Sequence, residues 1–246
     1  MPIFILSLII QVAFIVHIVK SGRNTMWIWI VLMLPLAGSI AYFVVEIFPE
    51  FSNGKTGRAA GRKLRDVVNP NRNINQAAEN YSISDTVENS MRLAQECFNK
   101  GLYEDAKRLY EKSLSGMYAN DPELLVGLAN AEFMLEQYSS SKAHLDKVME
   151  SNPDYKNQDA HLLYARTLEQ LNQVSAAFHE FEVLHSYYSG PEASYYYARF
   201  LKSQNQRENA QKILLAILDK ASKSSRHYSV LHKDILRLTK SELQKN

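Results

Sequence analysis

Small and apolar positions in residues 87–222 recur among polar ones at intervals of about 34 residues. Ala106, Ser141, Ala177 and Ala210 follow one another at separations of about 35, 36 and 33 residues, and Ala94, Ala129, Ala165 and Ala198 form a second series in step with the first. Leu93, Leu128, Tyr164 and Tyr197 stand just before one series. Tyr110, Leu145, Phe181 and Leu214 stand four places after the other. Helices close to about 8–10 Å only where one side chain at the crossing is small, so the two series predict four helix pairs with small residues at the crossings and larger ones filling the space around them. Beyond them, Tyr228, Leu231, Ile235 and Leu238 fall on one stripe of a predicted helix over 225–243, which would cap the last pair.

Helix-start signals agree with this frame: Asp121 before Pro122, Gly190 before Pro191, Asn157 before Gln158, and Asp85 with Glu88 as a capping box. The first unit carries Leu93-Ala94, Gly101, Tyr103, Ala106 and Tyr110, and the second Leu128-Ala129, Tyr138 and Pro153. On these residues the segment resembles the tetratricopeptide repeat family. The later units are weaker matches, with Val174 and Arg207 in place of the tyrosine. The resemblance implies an α-solenoid of about four helix pairs with a capping helix over 85–246, whose first helices line a concave, peptide-binding face.

The first fifth of the chain is different in character. Residues 2–19 and 26–48 are two nearly unbroken apolar runs, each long enough to span hydrocarbon about 30 Å thick. The sequence therefore predicts a transmembrane helical hairpin over 1–48, with Lys20 to Asn24 as its turn, Trp27, Trp29 and Tyr42 as interfacial anchors, and Ala37, Gly38 and Ala41 as a small surface for close approach. Pro35 should free a backbone carbonyl and kink the second helix, and Gln11 and His17 should stabilise helix pairing or face headgroups. The segment 17–49, with Trp27-Ile28-Trp29 and Leu34-Pro35-Leu36-Ala37-Gly38, resembles the phospholipase D nuclease amino-terminal module found ahead of bacterial cardiolipin synthases. The paired histidine, lysine and aspartate motifs of phospholipase D chemistry are missing, since His232-Lys233-Asp234 has the wrong spacing.

The flank after the second run holds Lys55, Arg58, Arg62, Lys63 and Arg65, against Lys20 and Arg23 in the turn. The richer side is normally cytoplasmic, which predicts an array in the cytoplasm; together with the resemblance to a bacterial anchor module, the expectation is a bacterial inner-membrane protein. Residues 49–84 read as a basic juxtamembrane linker in which those five cations contact lipid headgroups. Gly54-Lys55-Thr56 lacks the glycine that a phosphate loop needs five residues earlier.

A net charge of +2 gives no case for nucleic acid, and the single Cys97 excludes an internal disulfide. His179 and His185 are six apart, so they share no metal-binding helix face. With no paired acid and base and no activated nucleophile, the chain reads as a non-enzyme needing neither cofactor nor metal. Its partner is a protein or peptide, held in a groove lined by Arg92, Asn99, Asn130, Phe133, Arg166, Tyr195, Tyr196 and Arg199. A scaffold tethered beside the membrane is the leading expectation. An accessory role in phospholipid metabolism or envelope assembly is the alternative.

Overall fold

The computed structural model describes residues 2–21, 24–47 and 70–245, which are helical and form two compact units, Met1–Arg72 and Asn73–Asn246. The expected linker, with Lys55, Arg58, Arg62, Lys63 and Arg65, lies largely outside the described residues.

In the first unit, α1 (Pro2–Lys20) packs on α2 (Met26–Met33) and α3 (Pro35–Tyr42), followed by a π-helical turn over Phe43–Ile47. The second apolar run is thus two eight-residue helices, each about 12 Å long, where one span was expected. Among the described residues no helix is long and apolar enough to cross a membrane. The break has a clear cause, because Pro35 has no N–H to give to the carbonyl of Val31, four residues back. The side-chain amide of Gln11 on α1 supplies the missing bond, donating to Val31 O at 2.8 Å. Gly38 stands where a side chain would strike the backbone of Ile30, so the glycine serves the bend itself. Tyr42 is fully buried between Phe14 and Trp27, with its hydroxyl 2.9 Å from His17 Nδ1, and is a core residue, not an interfacial anchor. Gln11→Leu should weaken this unit by about 1 kcal/mol by stranding the Val31 carbonyl. Unfolding of the full chain by titration with a denaturing detergent measures it.

The second unit opens with α4 (Arg72–Ile83), a helix at the end of the expected linker, whose Ile74 and Tyr81 pack on the first pair and whose Ala77 is buried. The pairs follow: α5 (Val87–Asn99) with α6 (Tyr103–Ser113), α7 (Pro122–Met134) with α8 (Tyr138–Ser151), α9 (Gln158–Gln170) with α10 (Val174–Tyr187), and α11 (Glu192–Ser203) with α12 (Arg207–Lys223). The crossing residues are where the spacing put them: Ala94, Ala106, Ala129, Ser141, Ala165, Ala177 and Ala198 are 0% exposed and Ala210 is 2% exposed. Asp121 and Asn157 cap α7 and α9 as expected. The predicted Asp85–Glu88 box does not form, because Thr86 is the residue whose hydroxyl accepts from Asn89 N. Gly190 and Pro191 give α11 no side-chain cap.

All four pairs turn in the same way. Gly101, Glu136, Asn172 and Asn205 each adopt positive φ, between 57° and 76°, after the first helix of their pair. The next residue then donates five places back, as in Leu102 N to Cys97 O and Gln206 N to Leu201 O, both at 2.9 Å. This closes the helix with a Schellman motif, whose left-handed position suits glycine and tolerates asparagine. Glu136 is the poor fit in the series. Glu136→Gly should therefore stabilise the array, by up to about 1 kcal/mol, measured by chemical denaturation.

Consecutive first helices, α5, α7, α9 and α11, touch one another more closely than the second helices do. A stack that is tighter on one side curves toward it, so the first helices form the inner face. The expected single capping helix is broken at His232 into α13 (Arg226–Leu231) and α14 (Lys233–Gln244). The break resets the helical phase: Leu231 and Leu238 are exposed, while Ile235, Leu236 and Leu243 cover the last pair around the buried Thr239. Lys202 on α11 pairs with Glu242 at 2.9 Å and holds its carboxyl below the usual glutamate range. A depressed carboxyl stabilises the fold above its unfolded value and stops doing so as pH falls through the lower folded one. The melting temperature of the wild type should thus exceed that of Glu242→Gln near pH 7. The gap should close as pH drops below about 4.

Candidate peptide-docking face

The inner face is built by side chains at fixed offsets from the crossing alanines. One place after Ala129, Ala165 and Ala198 come Asn130, Arg166 and Arg199, and four places after come Phe133, Glu169 and Lys202. Arg166 reaches back to the preceding pair, where its guanidinium carbon lies 4.6 Å from the centre of the Phe133 ring. Its other side is covered by Tyr196 of the following pair, at 4.2 Å. Contact with rings from both neighbouring pairs restricts the guanidinium while leaving its N–H edge available.

Arg199 repeats the offset one pair later, and there the residue it meets is Glu169. Burial pushes the Glu169 carboxyl up, with Arg199 first and Arg166 second pulling it back. At the next step Lys202 meets Glu242 of α14, which stands where a further first helix would be. The lane thus runs from Phe133 through Arg166, Tyr196, Glu169 and Arg199 to the Lys202–Glu242 pair.

The structure gathers only some of the residues named from sequence. Phe133, Arg166, Tyr196 and Arg199 come together in this lane, and Asn130 is half-buried on the same face of α7. Tyr195 offers the lane little open surface, being 5% exposed and packed in the core of the last two pairs, with its ring T-shaped against Tyr196 and its hydroxyl near enough to Arg199 and Glu242 to feel their charges. Arg92 stands apart: it lines a polar hollow of about 250 Å³ between α4 and α5 with Asn73, Gln76, Asn80 and Glu96. Asn99 is exposed at the end of α5, and its carbonyl accepts from Gln95 at 3.2 Å. The reason is α4, whose presence beside α5 has no counterpart in the repeat pattern.

Sequence reasoning also missed a hollow of about 600 Å³ between α8 and α9, walled by Leu145, Val148, Tyr155, Tyr164 and Tyr187. At its side His161 bonds Glu180 at 2.6 Å and the Tyr187 hydroxyl at 2.7 Å, so these polar groups satisfy one another. The one hint in the chain is the extended connection 152–157 that separates these helices. Among the described residues no group of three or more His, Cys, Asp or Glu could hold a metal ion.

No family model matches the chain, and neither does any curated protein. Solved structures do. A thermophilic TPR protein of Thermus thermophilus superposes with a TM-score of 0.55 at 15% identity, over 72% of this chain and 96% of that one. A fragment of MamA from Desulfovibrio magneticus gives 0.55 at 13% identity, over 68% and 95%. A further MamA structure gives 0.50 at 20% identity, over 61% and 87%. At such identities the likeness speaks for architecture alone, and together with the buried crossing alanines it identifies the second unit as a tetratricopeptide-type helical solenoid.

Proposed function

We propose that this protein is a non-catalytic adaptor that binds a protein or peptide along the inner face of its solenoid and holds it beside a lipid bilayer. The observation that carries the reading is the Phe133–Arg166–Tyr196 stack. It joins three successive pairs into one preorganised surface and is open to a ligand along its edge. Stacked helix pairs present such surfaces to extended segments, which can lie along several units at once.

The membrane part of the reading rests on the first unit, where Val12, Val16, Val19, Trp29, Leu32, Met33 and Ile40 are all exposed. So much apolar surface on a small unit calls for a covering, and lipid supplies one without further protein. Within the bilayer the Pro35 break is tolerable because Gln11 meets the carbonyl it frees. By the distribution of basic residues the solenoid lies on the cytoplasmic side of that bilayer, which the resemblance of residues 17–49 to a bacterial anchor module makes the inner membrane. Confinement there raises the partner's effective concentration without any new contact.

Flotation with lipid vesicles tests the tether. The full chain should rise with the vesicles after a carbonate wash, whereas a chain lacking residues 1–48 should stay at the bottom. Equal behaviour of the two would dispose of the membrane part and leave the docking face standing.

A further inference from the structure

We infer that the hollow between α8 and α9 is a second docking site, on the outer side of the solenoid, which takes one tryptophan side chain of a partner protein. It is independent of the inner face.

Helical phase puts the hollow on the outer side. Ala160, His161 and Tyr164, which line it, are turned about 120–160° around α9 from Arg166 at 3.6 residues per turn. Its flanks come from the second helices, with Leu145, Val148 and Met149 on α8 and Glu180 and Tyr187 on α10. Space is left there because α8 packs on α9 less closely than α6 does on α7 or α10 on α11. The hydrophobic core also divides within α9, where Leu163 joins the cluster of the second pair and Leu162 that of the last two.

The lining selects a ring. The buried Leu145, Val148 and Ala160 give the hollow an apolar base, while Tyr155, Tyr164, Tyr187 and the Met149 thioether wall it, and such groups pack well against aromatic faces and edges. Burial raises all three tyrosine hydroxyls above their usual range, so the rings are neutral. Two of them are tied in place. Tyr155 donates to Glu123 and accepts from Asn157, both at 2.9 Å, and the Tyr187 hydroxyl meets His161 Nδ1 at 2.7 Å.

The edge selects a donor. A carboxylate can only accept, so Glu180 takes the His161 Nε2 proton through one oxygen, and among the described residues its second oxygen has no protein partner. An acceptor beside an apolar, ring-walled hollow complements an indole with its single N–H. A partner's lysine or arginine would lose its water against the apolar base, which one partly exposed carboxylate offsets poorly. Lys156, on the rim, is exposed and adds little. The hollow is also open along its outer side, with Met149 and Tyr187 each 50% exposed. A free small molecule needs fuller enclosure, whereas a side chain carried on a protein surface does not, and tryptophan is among the residues most enriched as such anchors.

The test follows the methyl signals of isotope-labelled methionine in the full chain, held in lipid nanodiscs, as N-acetyltryptophanamide is added. Met149→Leu assigns the signal. The Met149 methyl should shift saturably, while those of Met117 and Met134, on the solenoid but outside the hollow, should not. The shift should vanish in Ala160→Leu, whose longer side chain fills the base, with circular dichroism unchanged. The analogue methylated on the ring nitrogen has no donor and should bind the wild type at least about threefold more weakly, which tests the same site without a variant. On Glu180→Leu the two probes should bind equally. The absence of a saturable Met149 shift, or its survival in Ala160→Leu, would overturn the site. Equal binding of the methylated probe to the wild type, or tighter binding of N-acetyllysinamide, would overturn the indole as occupant. Free tryptophan binding more tightly than the blocked amide would overturn the partner residue in favour of a small molecule.

Discussion

Phe181→Ala should be the most damaging truncation in the molecule, lowering the unfolding free energy of the solenoid by about 3–5 kcal/mol. Phe181 is fully buried on α10, four places after the crossing Ala177, and its ring lies 5.3 Å from that of Phe200 and 6.1 Å from that of Tyr197. It therefore packs against the first helix of the neighbouring pair at two points. Removing it leaves a cavity walled by rings that α11 holds in place, and rigid walls cannot close on the space. Phe181→Leu keeps most of the volume and should cost less than half as much. The measurement is urea denaturation of the full chain in mild detergent, followed by far-ultraviolet circular dichroism.

The second large effect runs against helix propensity. Gly127 lies inside α7, where an alanine would ordinarily stabilise by about 1 kcal/mol. A methyl there would sit 2.5 Å from Cζ and 2.6 Å from Cε1 of Tyr110, a ring that is 3% exposed in the core of the first pair. Burial pushes the Tyr110 hydroxyl up to about 12, so the ring is neutral and remains in the core at any ordinary pH. Gly127→Ala must then move α7 away from α6 or drive Tyr110 from its place, and should destabilise by about 1–3 kcal/mol. In a Tyr110→Leu background the clash disappears, and the same substitution should become neutral or stabilising. A penalty that persists in that background would show that the glycine is needed for some other reason.

The repeat register was legible because it depends on sterics. Ala94, Ala129, Ala165 and Ala198 must be small wherever two helices cross, so their spacing carries the architecture through units that have lost the tyrosine and the proline. The turn positions were less so. Gly101 announces a left-handed residue, but Glu136 occupies the same conformation with a side chain that gives no sign of it, because the Schellman bonds around it hold the backbone there. In the capping segment Ile235 packs on the last pair as expected, but with the break at His232 the expected Leu231 and Leu238 are exposed and Leu236 and Leu243 pack there in their stead.

The docking face was half legible. Offsets from the alanines brought Arg166, Arg199, Phe133 and Tyr196 to one surface, since helical phase is fixed by the repeat. Tyr195 was drawn into the core of the last two pairs, where it is buried with Phe181, Tyr197 and Phe200 among alanines and leucines. Arg92 was drawn away by α4, a helix outside the repeat whose position no spacing encodes. In the hairpin, the kink and the carbonyl it frees follow from Pro35 alone. That Gln11 would be the residue to meet it depends on how α1 lies against α2.

Site-specific photocrosslinking in intact membranes tests the inner-face account most directly. A benzoyl-phenylalanine in place of Arg199 on the inner face, or of the exposed Lys212 on α12, reports which side of the solenoid a partner touches. The account predicts a discrete crosslinked protein from position 199 that is absent from position 212 and is lost when Arg166 is also changed to Glu. Crosslinks that form from position 212 and not from 199, or that ignore the charge at 166, would contradict it.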